Sequence, residues 1–186
     1  MNEKMTNKNK ILMEAHKRME DGTFESITIR QICEDAGASI GSFYHHFSSK
    51  DDLVLHTYTE NADYLLNNIQ QLNSDNEWDN LRMYVNYQID EALRSSLSRT
   101  RFVYTYNINH GIDPHSKHRE ILRGLLTRAK EKGQMNDVLT IDEFLDYFFV
   151  IISGTMTKYC MENANYDIKN KLKMHIDLLI KTVNSK

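Results

Sequence analysis

A chain of 186 residues with only seven glycines and one proline has few places to turn sharply. An average chain of this length carries nearly three times as many, roughly 22. A sandwich or barrel of many short strands needs turn signals every ~8–12 residues, so this scarcity points to long helices. The hydrophobic pattern agrees. Apolar residues recur at helical spacing along almost the whole chain, and no convincing alternating run marks a strand. The expected fold is all-α with about nine helices.

Start and stop signals divide the pattern. A first helix is expected from Thr6 to Glu20, with Ile11, Leu12, Ala15 and Met19 on one stripe and Gly22 beyond its end. Thr28 caps a short helix, Ile29 to Ala36, and a second short one follows from Ile40 to Phe47. A longer helix opens at Lys50 and runs to about Asn73. Further helices are read over Trp78–Leu97, Phe102–Asn109, His115–Lys132, Ile141 to about Asn163 (with a Thr140/Glu143 capping box) and Asp167 to the end.

Residues 28–50 carry the most specific signal. Ile29, Ile32 and Cys33 give the first short helix a buried side. Gly37 supplies the positive φ that ends it, and Ala36 and Ala38 let the two helices cross closely. Ser39 caps the second helix, and Phe43 and Phe47, four residues apart, anchor it. Ile40, Gly41, Ser42, Tyr44, His45 and His46 are left on or near the outward face. A short helix with small polar and aromatic residues near its N-terminus is what reading a DNA major groove requires.

This segment resembles the helix-turn-helix of the tetracycline-repressor (TetR) family of bacterial transcription regulators. That family's pattern is met by Thr28, Ile32, Ala36, Gly37, Ser39, Gly41, Tyr44, His46, Phe47, Lys50 and Leu53, with mild departures at Cys33, Ala38 and Ser42. The resemblance implies that Tyr44 and Lys50 contact DNA phosphates, that positions 39 to 42 and 45 lie against the groove, and that Thr28 caps the supporting helix and touches the DNA backbone. An apolar Ile40 suits contact with a thymine methyl. The chain has 23 Lys and Arg against 26 Asp and Glu, a net charge of −3. With no global basic field, DNA affinity must rest on placed contacts such as Lys50, Arg30 and Lys8 or Lys10.

The resemblance further implies a DNA-binding domain over residues 1–48 and a helical regulatory and dimerisation domain over 49–186. The expected function is a ligand-responsive regulator, most simply a repressor, that binds a palindromic operator on double-stranded DNA as a homodimer. The apolar faces of the last two helices, through Phe148, Phe149, Ile152, Met156, Leu172, Ile176, Leu179 and Val183, are expected to form the dimer interface. Tyr84, Tyr87, Phe102, Tyr106 and Tyr147, with His110 at the mouth, are expected to line a cavity for an unidentified small-molecule inducer, because buried tyrosines need partners for their hydroxyls.

Two other readings stay open. In one, the same DNA-binding domain is controlled by a protein partner. In the other, His110, His115 and His118 hold the metal of an enzyme. No nucleophile with a placed base and no phosphate loop points to an enzyme, and no cofactor is implied. The longest stretch free of formal charge, Ala36–Ser49, is fourteen residues, and the apolar stretches Tyr147–Thr157 and Phe102–Ile112 are eleven each. Spanning a bilayer takes roughly 20. Two isolated cysteines, Cys33 and Cys160, and a polar N-terminus read as a reduced, cytoplasmic protein.

Overall fold

The computed structural model describes residues 5–57, 73–113 and 115–185, and among them the chain is all-helical. The helices are α1 (Asn7–Glu20), α2 (Ile29–Asp35), α3 (Ile40–His46), α4 (helical over 50–57), α5 (Glu77–Arg94), α6 (Leu97–His110), α7 (Ser116–Glu131), α8 (Ile141–Met161) and α9 (Ile168–Val183). The rest of the helix expected to reach Asn73 lies outside the described residues. The single β-type pairing among them is an isolated bridge between Met135 and Asn184.

Side chains set most of the helix starts. Thr6, Thr28, Ser39, Asn76, Ser96, Thr140 and Asp167 each accept a hydrogen bond from a first-turn amide. Thr28 with Gln31, and Thr140 with Glu143, form complete capping boxes. The Ser96 cap corrects one boundary. The sequence pattern runs a helix through to Leu97 and opens the next at Phe102, whereas α5 stops at Arg94 and α6 begins at Leu97. The Ser96 hydroxyl takes the Arg99 amide at 3.1 Å, and that bond fixes the new start.

The chain forms two compact units: Met1–Glu60 with Ser96–Pro114, and Asn61–Ser95 with His115–Lys186. The division expected after residue 48 is therefore displaced, and α6 belongs to the first unit. Its apolar side explains this. Val103 and Tyr106 of α6 share one core with Ile11, Leu12, Ala15 and Met19 of α1, Phe24, Ile32, Phe43 and Phe47, and Leu53 and Val54 of α4. At the centre, the Phe24 ring meets Phe102 and Tyr106 edge-on, at 5.2 and 6.0 Å between centroids.

In the second unit, α5 packs on α7 and α9, and α8 packs on α7 and α9. Phe144, Leu145 and Phe148 of α8 and Ile168, Leu172, Ile176, Ile180 and Val183 of α9 are buried there. One polar cluster is buried as well. Glu77, 1% exposed, accepts from Arg128 at 3.1 and 3.2 Å, Lys132 at 2.8 Å and Asn80 at 3.1 Å. Burial alone would raise its carboxyl, but these hydrogen bonds outweigh it and hold the group below its ordinary value. Nearby, the Trp78 indole donates to the Gln134 carbonyl at 3.1 Å. No helix among the described residues is long and apolar enough to cross a membrane.

Candidate nucleic-acid interface

The first unit builds its outward surface from α2, a tight turn and α3. Gly37 adopts φ +62°, and the Ala38 amide turns back to the Cys33 carbonyl at 2.9 Å, which closes α2 and aims α3 across it. A Cβ at that φ would be strained, as the sequence pattern requires of the turn glycine. Phe43 and Phe47 sink into the core at 0% and 1% exposure, with ring centroids 5.4 Å apart. The anchored pair fixes the rotation of α3 about its axis.

With that rotation fixed, Ser39, Ile40, Gly41, Tyr44 and His45 are exposed, and Ser42 is half-buried. The Tyr44 ring, 57% exposed, leans edge-on against Phe43 at 5.4 Å, so its hydroxyl is carried outward on a supported ring. The His45 ring meets His46 at 4.8 Å. The Ser39 hydroxyl is occupied in capping the Ser42 amide at 3.0 Å. Thr28 and Arg30 are exposed at the start of α2. Arg18 holds α2 to α1, at 2.7 Å from Glu14 and 2.5 Å from Asp35, and its guanidinium is stabilised in the charged form first by Glu14.

Lys50 has a more structural place than the resemblance implies. Its ammonium donates to the carbonyls of Glu25 at 3.0 Å and Ile27 at 2.7 Å and lies 4.7 Å above the Phe24 ring. Burial lowers its pKa below the ordinary lysine value. Two of its three N–H donors thus tie α4 to the loop that leads into the Thr28 cap. Beside it, the Tyr106 hydroxyl of α6 donates to Asp51 at 2.5 Å, and burial pushes this phenol well above the ordinary tyrosine range. Nothing in the local pattern signals this bond between residues 55 positions apart.

The residues expected to line an inducer cavity are distributed over both units. Phe102, Tyr106 and His110 are in the first, and Tyr84, Tyr87 and Tyr147 in the second. The two buried tyrosines have protein partners for their hydroxyls, which removes the reasoning that called for a ligand. Tyr106 has Asp51, and Tyr84 is bonded to Nδ1 of His118. Burial holds His118 neutral, lowering its pKa from 6.5 to about 4. Tyr147 is 56% exposed.

The three histidines weighed as metal ligands also have other partners. His110 stacks on Tyr106 at 3.9 Å with its Nδ1 2.9 Å from the Tyr106 carbonyl, and His115 reaches Ser153 at 3.0 Å. His118 faces Tyr84. No group of three His, Cys, Asp or Glu suited to a metal occurs among the described residues.

The expected dimer residues need a similar correction. Phe148, Phe149, Met156, Leu172, Ile176, Leu179 and Val183 are all at most 9% exposed in the single chain, and Ile152 is half-buried. They are mainly core. The opposite stripes of α8 and α9 are the open ones: Tyr147, Val150 (69%) and Gly154 on α8, and Leu178 (57%) on α9. With Ile151, Thr155, His175, Leu179 and Thr182 they line a groove of about 480 Å³. Large rings fill the inner stripe, and periodicity alone did not say which stripe would face inward.

Residues 11–57 match the family described as bacterial regulatory proteins, tetR family. An HTH-type transcriptional regulator of Staphylococcus aureus is 28% identical over 69 residues, a match spanning 37% of this chain and 37% of that relative. The fatty acid degradation regulator FadR from Bacillus halodurans superposes with a TM-score of 0.72 at 19% identity, covering 96% of this chain and 97% of that one. FadR from Bacillus subtilis, solved in complex with stearoyl-CoA, gives 0.70 at 17% identity and covers 93% and 97%. At these identities the structural likeness is one of fold, and it runs nearly end to end. It is the helix-turn-helix of the first unit that carries the match to the tetR family of bacterial regulatory proteins.

Proposed function

We propose that this protein is a transcriptional repressor that binds a palindromic operator as a homodimer and is released by a small molecule. The observation that carries the DNA-binding part is the rotation of α3. Phe43 and Phe47 are locked inward, which leaves Ser39, Ile40, Gly41, Tyr44 and His45 exposed together on a helix short enough to enter a major groove. Tyr44 supplies a phosphate contact, Ile40 an apolar one, and Thr28 and Arg30 add backbone contacts from the start of α2. Lys50 holds the loop before Thr28 in place and keeps one N–H for a phosphate.

Dimerisation follows from the target. Two recognition helices must reach successive major-groove faces, and a palindrome presents them by two-fold symmetry. The open stripes of α8 and α9 support the choice of interface. Their groove is lined by no Lys, Arg, Asp or Glu in a chain that is 26% charged.

The inducer is the part that rests on fold likeness, and the stearoyl-CoA bound to the B. subtilis FadR makes a long-chain acyl-CoA the first compound to try. Footprinting on the DNA flanking the protein's own gene tests the whole reading. A protected inverted repeat, lost on adding the acyl-CoA, is the expected result. Protection that no small molecule relieves favours control by a protein partner, and no protection at any salt concentration overturns the proposal.

A further inference from the structure

Thr28 and Ser39 cap successive helices, but their hydroxyls are spent differently. Each accepts a first-turn amide, from Gln31 at 3.2 Å and from Ser42 at 3.0 Å. The Thr28 hydroxyl also donates its single proton, to Oε1 of Gln31 at 2.9 Å. The same oxygen takes the Thr28 backbone amide at 2.9 Å. That second bond fixes which way the Gln31 carboxamide is turned, because its nitrogen cannot accept. A DNA phosphate oxygen only accepts, so in this arrangement the Thr28 hydroxyl has no proton left to offer it.

What the capping box leaves over is the other half of Gln31. The residue is exposed, and its Nε2, with two N–H donors, makes no hydrogen bond among the described residues. Capping does not need those donors. The matching box of α8 has the same geometry with a carboxylate, in which Glu143 takes the Thr140 amide and hydroxyl at 2.8 Å each. A carboxylate also suits a helix start better than a neutral amide does. At the neighbouring position, Arg30 is exposed and has no hydrogen bond or ion pair among the described residues. Arg18, Arg82, Arg119, Arg123 and Arg128, by contrast, are each paired with a carboxylate. We propose that Gln31 is a DNA-contacting residue. Its Nε2 donates to a backbone phosphate, Arg30 supplies the charge, and the contact expected of Thr28 is made through the amide that Thr28 holds in place.

The proposal rests on the operator-binding reading, and the experiment separates the two. The DNA fragment protected in footprinting is titrated in mobility-shift assays with the wild type and Gln31→Glu, and thermal melting is recorded for both. Gln31→Glu keeps an acceptor for Thr28, as Glu143 does for Thr140, and removes the N–H donors. Melting should hold or rise, while affinity for the fragment falls roughly tenfold or more. The titrations are then repeated on fragments in which single phosphates are replaced by uncharged methylphosphonates. At the phosphate that Gln31 grips, the wild type should lose affinity and the penalty of Gln31→Glu should shrink, because bond and repulsion both act on that group's charge. Gln31 is a cap alone, and the operator reading stands, if Gln31→Glu binds like the wild type, loses affinity only in step with melting, or pays the same penalty at every methylphosphonate. A wild type that binds no such fragment removes the operator reading and the proposal with it.

Discussion

One buried and one half-buried imidazole make this fold sensitive to mild acid. His16 on α1 and His118 on α7 both have pKa values lowered from 6.5 to about 4, chiefly by burial, with Arg99 adding to the effect at His16 and His115 and Lys117 at His118. The His16 Nε2 has no hydrogen-bond partner among the described residues. Between about pH 6.5 and 4 the unfolded chain therefore holds more protons than the folded one, and stability falls as the pH falls through that window. At pH 5 each histidine costs about 2 kcal/mol, from the ratio of protonation terms at the two pKa values. Together they remove about 4 kcal/mol from a total that is ordinarily ~5–15 kcal/mol.

Carboxylates contribute little at that pH. Asp21, Glu77, Asp142 and Glu143 are held below unfolded values of 3.8 to 4.5, so their contribution is lost only at lower pH. Urea unfolding followed by far-ultraviolet circular dichroism near pH 7 and pH 5 measures the drop directly. His16→Gln and His118→Gln, though less stable at neutral pH, should each lose about 2 kcal/mol less than the wild type on acidification. A wild-type stability unchanged down to pH 5, or variants that lose as much as the wild type, would refute the assignment.

Other expectations concern single sites. Tyr44→Ala should weaken operator binding and flatten the log–log salt dependence by about one unit, while melting stays put because the ring is mostly exposed; a mobility-shift titration at several salt concentrations reads it. Lys50→Met should do both kinds of damage, lowering unfolding stability by about 1–2 kcal/mol through the two lost carbonyl bonds and weakening DNA binding as the Thr28 loop loosens. Glu77→Gln should cost about 1–3 kcal/mol in urea unfolding near pH 7, and less as the pH falls through the native carboxyl's titration, because the wild-type group is then neutral too. Tyr106→Phe keeps the ring and removes the Asp51 bond, so it should lower stability by about 1 kcal/mol and speed hydrogen exchange in the first turn of α4.

The helix-turn-helix was legible in the sequence because its information is local. Caps at Thr28 and Ser39, a positive-φ glycine at 37 and aromatic anchors at 43 and 47 each act within a few residues. The stops at Gly22, Gly111 and Gly133 were legible for the same reason. What the sequence hid depends on distant partners. The interaction of Tyr106 with Asp51, and of Tyr84 with His118, joins residues whose types suit many roles, so surplus tyrosine hydroxyls read as a ligand site. In α8 and α9, apolar residues occupy two stripes each, and periodicity reports both without ranking them. In α8 the large rings of Phe144 and Phe148 are inside and Val150 outside, whereas in α9 Leu178 is outside although it equals the buried Leu172 and Leu179 in size.

The membership of α6 in the first unit bears on the order in which the protein can be made. The core around Phe24 is complete only when Val103 and Tyr106 are in place, and they are encoded after the whole of residues 61–95. A nascent chain that has just finished its helix-turn-helix still has part of that core exposed to water. It must wait while α5 is synthesised, then close a long loop, with its entropy cost, to cover Phe24. During that interval the uncovered aromatic side is the surface that chaperones or neighbouring nascent chains would meet first.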